Sequence, residues 1–580
     1  MAILGVDVGG TFTDAVLLTD ENELRAAKIP TARRQEESVL AAAAAVVAVQ
    51  VDRFAHGTTV ATNALLERKG ARTAFVATEG FEHLLHLRRQ NRAELYRLCA
   101  EHPAPLVPIE RCFGVRERTG PDGVIAPLEL DSLPEFDAEA VAVCLLFSFR
   151  DPDHERAVAA ELRRRLPDAR VVASHEVSPE FREYERASTT VVDAYLGPVV
   201  ARYLGALGER AVAAGLPEPL VMRSSGGVAS LEEAAAHPAV ALLSGPAAGT
   251  VGAALLALRA GFENAISFDM GGTSTDVSLI ADGRASIAAG REVGGLPLRL
   301  PAVDLHTVGA GGGSIVWLDS GGAIRVGPES AGADPGPACY GRGGTRPTIT
   351  DANLLLGRLP DMLAGGIELD SEAAAGAFAG IDPAHALEVV NAEMLRALRV
   401  VSVERGHDPR EFALVAFGGA GPLHACALAD ELEIGTVLVP AAAGVLSALG
   451  LVASEERRDR VMPYVRPLAE VTDLPAEGEA DLRYAGQSFE LTVPLQDGLA
   501  EAFHRAHEER YGYADRGRGL ELVAVRTVET TPGPEFDLPP EEPLHVEGPA
   551  TVELDGATCF VAPGWVGDRD GSSTLVLTKG

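Results

Sequence analysis

Basic residues are the first shortage: 50 Lys and Arg stand against 83 Asp and Glu, a formal net charge of −33. Duplex nucleic acid is held through cationic contacts to phosphates, so that partner is excluded, and an anionic membrane surface with it. Cysteine is sparse too. Cys99, Cys112, Cys144, Cys339, Cys426 and Cys559 are dispersed, with no C-x-x-C, which in a long chain reads as reduced thiols. No long hydrophobic run occurs. The longest, Val39–Val49, is Ala-rich and far short of a membrane span. The start, Met1–Gly10, lacks a basic stretch ahead of an apolar core, so no signal peptide is expected and the location is expected to be cytoplasmic. The sequence contains no G-x-x-x-x-G-K-[ST], no H-E-x-x-H and no G-x-S-x-G, which sets aside P-loop, zincin and hydrolase-elbow chemistry. His83 and His86 lie three apart with no third ligand evident, so zinc is not expected there. Aromatics are only 5% of the chain.

What is abundant is glycine, 62 residues in a chain of 580. That length exceeds one core, so two or three domains are expected. Strand and helix patterns alternate over the first 190 residues, which predicts an α/β domain there. The segment 191–460 repeats such patterns. From 461 to 580 the periodicity shifts to half-buried strands, predicting a small β-rich C-terminal domain.

One pattern occurs twice. Asp7–Leu18 reads DVGGTFTDAVLL and Asp269–Ile280 reads DMGGTSTDVSLI, matching at seven of twelve positions with an offset of 269 − 7 = 262. Each copy follows an apolar strand, so each predicts a hairpin with a glycine turn. Gly9, Gly10, Gly271 and Gly272 let backbone approach a phosphate closely, and successive N–H groups there form an anion-binding nest. Thr11, Thr13, Thr273 and Thr275 offer hydroxyl donors. Asp7 and Asp269 end their strands where a carboxylate holds Mg²⁺ through water. The competing reading is a pair of ordinary turns built from Gly, Thr and Asp.

A third element, LVAFGGAGPLHA over Leu414–Ala425, runs a strand into Gly418, Gly419 and Gly421 and starts a helix near Pro422. A helix N-terminus behind glycines can approach a nucleotide. After two phosphate loops, this order resembles an actin-like ATPase of the sugar kinase, Hsp70 and actin type, with duplicated ribonuclease H-like lobes. Two more segments are candidates for substrate or phosphate contact: His56, Thr58 and Thr59, against helix capping as the alternative, and His306 with the glycines around Gly311 and Gly312, against a loop or lid. Cys339 is read as an inert thiol.

Longer segments carry a more specific resemblance. GVDVGGTFTD (Gly5–Asp14), HGTTVATNALLERKG (His56–Gly70), RQNR (Arg89–Arg92), SFDMGGTSTDVSL (Ser267–Leu279), HTVGAGGGSI (His306–Ile315), VGPESAGADPGPACYGRGG (Val326–Gly344), TDANLLLGRL (Thr350–Leu359), AFGGAGPLHA (Ala416–Ala425) and RYAGQ (Arg483–Gln487) resemble the hydantoinase A / 5-oxoprolinase family. Asp193 in TVVDAYLGP departs from the Asn expected in many relatives. The resemblance implies an ATP- and Mg²⁺-dependent hydrolase subunit that phosphorylates a cyclic amide (hydantoin, 5-oxoproline or another lactam) for ring opening. It also implies a B-type partner subunit, with a homodimer inside the heteromer as one arrangement; a fused B half is not expected here. The alternatives are a ketone carboxylase subunit, a stand-alone small-molecule kinase of the same fold, or a non-catalytic nucleotide-binding protein.

Overall fold

The computed structural model describes residues 1–97, 99–363, 367–569 and 573–580. The alternating patterns become an α/β architecture of mixed sheets. The largest, ten-stranded sheet has the hairpin of Ile3–Val8 and Phe12–Leu18 near one edge. Arg53–Thr58 lies parallel to Ile3–Val8 on its other side. A nine-stranded sheet repeats this unit: Ala265–Met270 and Thr275–Ala281 form the hairpin, and Ala413–Phe417 runs parallel beside it. A five-stranded sheet contains Thr73–Thr78, Ala140–Cys144 and Arg170–Ala173 in parallel. Thr73–Thr78 and Ala140–Cys144, the inner two of these, are buried along their whole length, as central parallel strands require.

Residues 461–580 do not share one sheet. Glu456–Pro467, Glu479–Tyr484, Leu491–Pro494 and Leu520–Thr531 extend the ten-stranded sheet. Leu544–Glu547, Trp565–Arg569 and Thr574–Lys579 extend the nine-stranded one. A helix not foreseen from the sequence, Leu499–Tyr511, covers a core of Ala480, Leu482, Phe503 and Leu522. Among the described residues no helix is long and apolar enough to cross a membrane.

Two helices lie between the large sheets. Leu446–Ala453 packs on the first hairpin and Arg53–Thr58, while Ser244–Arg259 packs on the second hairpin and Ala413–Phe417. They cross with almost nothing between their backbones. A Cβ on Gly450 would lie 1.9 Å from the Ala248 carbonyl oxygen, and one on Gly252 2.8 Å from that of Leu446. The same short helix approaches the first strand, where a Cβ on Gly5 would lie 2.2 Å from the Ala448 carbonyl oxygen.

A side chain at that crossing has nowhere to go, because the neighbours are backbone. Gly450→Val is expected to destabilise the protein by at least ~1–3 kcal/mol, the usual cost of overpacking. Gly205→Ala, in an exposed helical position with nothing near its Cβ, is expected to be neutral or slightly stabilising. Thermal and urea melts of the two variants check this; equal melting points would contradict it.

Candidate functional site at the paired hairpins

In each hairpin the register sets two carboxylates directly opposite one another: Asp7 faces Asp14, and Asp269 faces Asp276. Like charges at facing positions oppose pairing, so each hairpin needs compensation. In the first, Lys28 on the neighbouring strand Leu24–Pro30 bonds both oxygens of Asp14 at 2.7 and 2.9 Å and also reaches the Gly444 carbonyl at 2.9 Å. In the second, the Thr307 hydroxyl donates to Asp276. Asp7 receives no such help: its Oδ1 is buried without a hydrogen-bond partner. Burial and then the Asp14 charge push the Asp7 carboxyl up to about 7. Burial, followed by the Asp276 charge, pushes Asp269 up to about 8; Lys28 opposes this, while Asp7 and Asp14 add to it. The two strand-end aspartates therefore share one electrostatic neighbourhood although 262 residues separate them in the chain.

Glycines make room for both carboxylates. A Cβ on Gly57 would lie 2.3 Å from Asp7 Oδ1, and one on Gly418 would lie 2.4 Å from Asp269 Oδ1. Gly57 pairs with Asp7 across the parallel strands, and Gly418 follows Phe417, the partner of Asp269. Gly245, near the start of helix Ser244–Arg259, lies against Asp7 from another side. Neither Gly57 nor Gly245 was singled out from the sequence. The duplicated acid-glycine contact becomes visible only through strand pairing.

The turns themselves are open. Gly10, Gly272 and Thr273 are exposed, and a Cβ on Gly10 or Gly272 would meet nothing within 4 Å. Gly9 and Gly271 close the turns through their N–H groups, donating to Phe12 and Ser274 carbonyls. Thr11 is half-buried, and its carbonyl accepts from the Thr31 N–H. Thr13 and Thr275 are corrected from donors facing a ligand: both are fully buried, with Thr13 bonded to Thr31 Oγ1 at 3.0 Å and Thr275 donating to the Ala310 carbonyl at 2.6 Å.

The glycine run after His306 is close-packed against the second turn. Gly312 N–H donates to the Gly271 carbonyl and Gly313 N–H to that of Gly272, at 3.0 and 2.7 Å. A Cβ on Gly311 would sit 2.6 Å from the Gly272 carbonyl carbon. Gly311 and Gly312 are buried and brace the turn; His306 is half-buried on Leu305–Val308, a strand paired with the second hairpin. The third element joins here as well. Ala420 N–H donates to the Met270 carbonyl, Gly418 adopts φ +77°, Gly419 is unobstructed, and Gly421 opens the helix Gly421–Leu432.

His56 is a core residue, which corrects its reading as a substrate contact. It is fully buried, with Nδ1 3.0 Å from the Val6 carbonyl and Nε2 2.8 Å from the Tyr203 hydroxyl. Burial pushes its pKa down to about 4. Thr58 is buried and its hydroxyl accepts from Val60 N–H, while Thr59 precedes helix Val60–Leu66 and accepts from Gln35 at 3.4 Å. Cys339 is buried and burial raises its pKa, in line with an inert thiol.

The family assignment follows from two matches that together span most of the chain. The profile described as Hydantoinase/oxoprolinase N-terminal region matches residues 3–166, and that described as Hydantoinase/oxoprolinase matches residues 186–460. The caprolactamase subunit alpha of Pseudomonas jessenii is 32% identical, over 100% of this chain and 99% of that protein. The chain belongs to the hydantoinase/oxoprolinase family. A crystal structure of the ATP-dependent caprolactamase from Pseudomonas jessenii superposes with a TM-score of 0.85 and 31% identity, covering 100% of both chains. A nucleotide-free acetone carboxylase structure gives a TM-score of 0.77 and 25% identity, over 100% of this chain and 99% of that one. The 5-oxoprolinase 1 of Arabidopsis thaliana is 34% identical over 81% of this chain, which spans 44% of that longer protein.

Among the described residues no group of three or more His, Cys, Asp or Glu is arranged to hold a metal ion unaided. The donor set still suits a magnesium ion completed by water and phosphate, because Mg²⁺ takes one or two carboxylates plus phosphate oxygens. The unpartnered Asp7 Oδ1 and the two facing acid pairs are a cation-seeking arrangement.

The raised carboxyl pKa values have a signed consequence. The native state binds protons that an unfolded carboxylate, near 3.8, releases. Stability from these groups is therefore present at low pH and lost as pH rises from about 4 to about 8. Asp269→Asn removes one such ionisation. Without divalent cations, the melting point of this variant relative to the unsubstituted protein should rise between pH 5 and pH 8.5. Parallel pH profiles for the two proteins would contradict the assignment.

Proposed function

We propose that this chain is an ATP-dependent subunit that activates a cyclic amide for ring opening, on a two-lobed actin-like frame. One observation carries the reading: duplicated acid hairpins converge with open glycine turns in a chain that matches a caprolactamase subunit over its whole length. The turn N–H groups at Gly10, Thr11, Gly272 and Thr273 receive the phosphates, as an anion nest does. Gly419 and Gly421 lie where backbone approaches the nucleoside. Asp7 and Asp269 hold magnesium, which neutralises phosphate charge when bound. The bracing loop around Gly311 and Gly312 keeps the second turn rigid, so that positioning rather than covalent chemistry lowers the barrier. The amide carbonyl oxygen takes the terminal phosphoryl group of ATP and ADP leaves; water then adds to the activated carbon, the ring C–N bond breaks with the nitrogen taking a proton, and phosphate is released.

A B-type partner subunit for the second step is part of the proposal, supported by the subunit naming of the caprolactamase relative. The likeness to acetone carboxylase over the full chain favours a second reading, in which a ketone is activated for carboxylation.

Mg-ATP is expected to raise the melting temperature, since a ligand bound only by the native state stabilises it. Asp7→Ala and Asp269→Ala should each keep the fold and lower ATP turnover by roughly 10²–10³-fold, the loss typical of one electrostatic contact in a transition state. Gly10→Val and Gly272→Val should weaken nucleotide binding, because a branched side chain blocks the open approach. Steady-state ATPase, nucleotide titration and circular dichroism on the four variants test this. Folded Asp variants with unchanged turnover would overturn the reading.

A further inference from the structure

A cavity of about 390 Å³ lies between helix Glu183–Ala213, the turn after Leu220–Met222 and the strand Glu456–Pro467. Three of its lining side chains carry a buried polar atom without a hydrogen-bond partner: Asp193 Oδ2, Arg223 Nε and His237 Nδ1. Asp193 is fully buried and Arg223 is 7% exposed. Each is anchored at its other end. Asp193 Oδ1 accepts from Ala239 N–H at 3.0 Å, and Arg223 Nη1 donates to Glu233 at 2.7 Å. Opposite charges stand near the free atoms but beyond hydrogen-bond length: His237 Nδ1 and Arg170 Nη2 lie 3.8 and 4.0 Å from Asp193 Oδ2, and Arg223 Nε lies 3.9 Å from Asp459. Leaving a buried polar atom unpaired costs about 1–3 kcal/mol, so three in one wall call for an occupant.

The wall also limits what that occupant is. Its volume is at the small end of ligand sites, suited to a single ring and too small for a nucleotide. Its five carboxylates, Glu176, Glu180, Asp193, Glu233 and Asp459, face four arginines and His237, so the wall carries no cationic excess of the kind a phosphate or a dicarboxylate calls for. The free groups are an acceptor, Asp193 Oδ2, with the His237 ring nitrogen Nδ1 beside it, and a donor, Arg223 Nε–H. A molecule with an N–H beside a carbonyl complements both; a simple ketone leaves Asp193 unpaired. Two segments run from the cavity to the paired hairpins. Pro238–Ala241 leads into the helix whose Gly245 touches Asp7, and Arg299–Pro301 leads into Leu305–Val308 on the second hairpin.

We propose that this cavity is an entry site that holds the organic substrate before it reaches the hairpin turns, an N–H-bearing cyclic amide whose N–H is accepted by Asp193 and whose carbonyl is held by Arg223. The ligand class rests on the proposed function; the site itself does not depend on nucleotide chemistry. Calorimetric titration of the full chain without nucleotide, using caprolactam, 5-oxo-L-proline and hydantoin, tests it. At least one ring is expected to bind. For the best-bound ring, Asp193→Asn should weaken binding by about tenfold or more, the worth of one hydrogen bond to a charged group. The N-methylated form of that ring should bind more weakly to the unsubstituted protein and be indifferent to Asp193→Asn. Arg223→Lys should weaken both forms. Val461→Phe, which fills the cavity and removes no polar group, should abolish ring binding. The Mg-ATP melting shift reports separately on the hairpins and should persist in all three variants; its absence from the unsubstituted protein would count against the proposed function alone. Ring binding unchanged in Asp193→Asn and Val461→Phe, or no binding of any of the three rings at millimolar concentration, would overturn the cavity assignment.

Discussion

The backbone-to-backbone crossing of Ser244–Arg259 with Leu446–Ala453 is the contact on which the geometry of the site depends. Gly252 and Gly450 let the two helices meet without side chains, and Gly5 lets the second helix lie directly on the first strand. Ser244–Arg259 packs on strands of both large sheets, and Leu446–Ala453 on strands of the ten-stranded one. The first helix begins at Ser244, whose hydroxyl bonds the Thr58 backbone, and its Gly245 touches Asp7. Spacing between the hairpins is set by atoms that cannot change rotamer, which favours a precise site.

Within that frame, the hairpins hold charge that folding alone does not satisfy. Asp14 has Lys28 and Asp276 has Thr307, but Asp7 retains a bare oxygen, and both strand-end carboxyls sit well above their ordinary range. A core selected only for stability would not gather Asp7, Asp14 and Asp269 around Lys28 and leave Asp276 to Thr307 and the Arg291 charge. Perturbed acids in an open site are the pattern expected where a ligand supplies the missing charge. Gly57 and Gly418 extend the duplication beyond the matching letters. In each half, a glycine on or just after the parallel strand clears space for the carboxylate.

Local signals were legible wherever the chemistry is local. The two hairpins, the strand entering Gly418 and the helix after it lie where apolar runs and glycines indicate. Thr348 and Asp351 form a capping box at the start of the helix Ile349–Leu355. His56 was misleading because a His beside two hydroxyls looks the same whether it faces a ligand or the Val6 carbonyl and Tyr203. The glycines after His306 do mark close backbone approach, but the approaching partner is the second turn.

The sequence by itself determined the duplicated glycine turns, the α/β alternation and the family, because these depend on residue type and short-range spacing. Only the tertiary structure decided which glycines serve the aspartates, how residues beyond 456 divide between two sheets, and that Asp193, Arg223 and His237 share one cavity. Those facts depend on strand pairing and helix crossing between segments hundreds of residues apart. Such contacts are set by backbone packing, which leaves no periodic trace in the sequence.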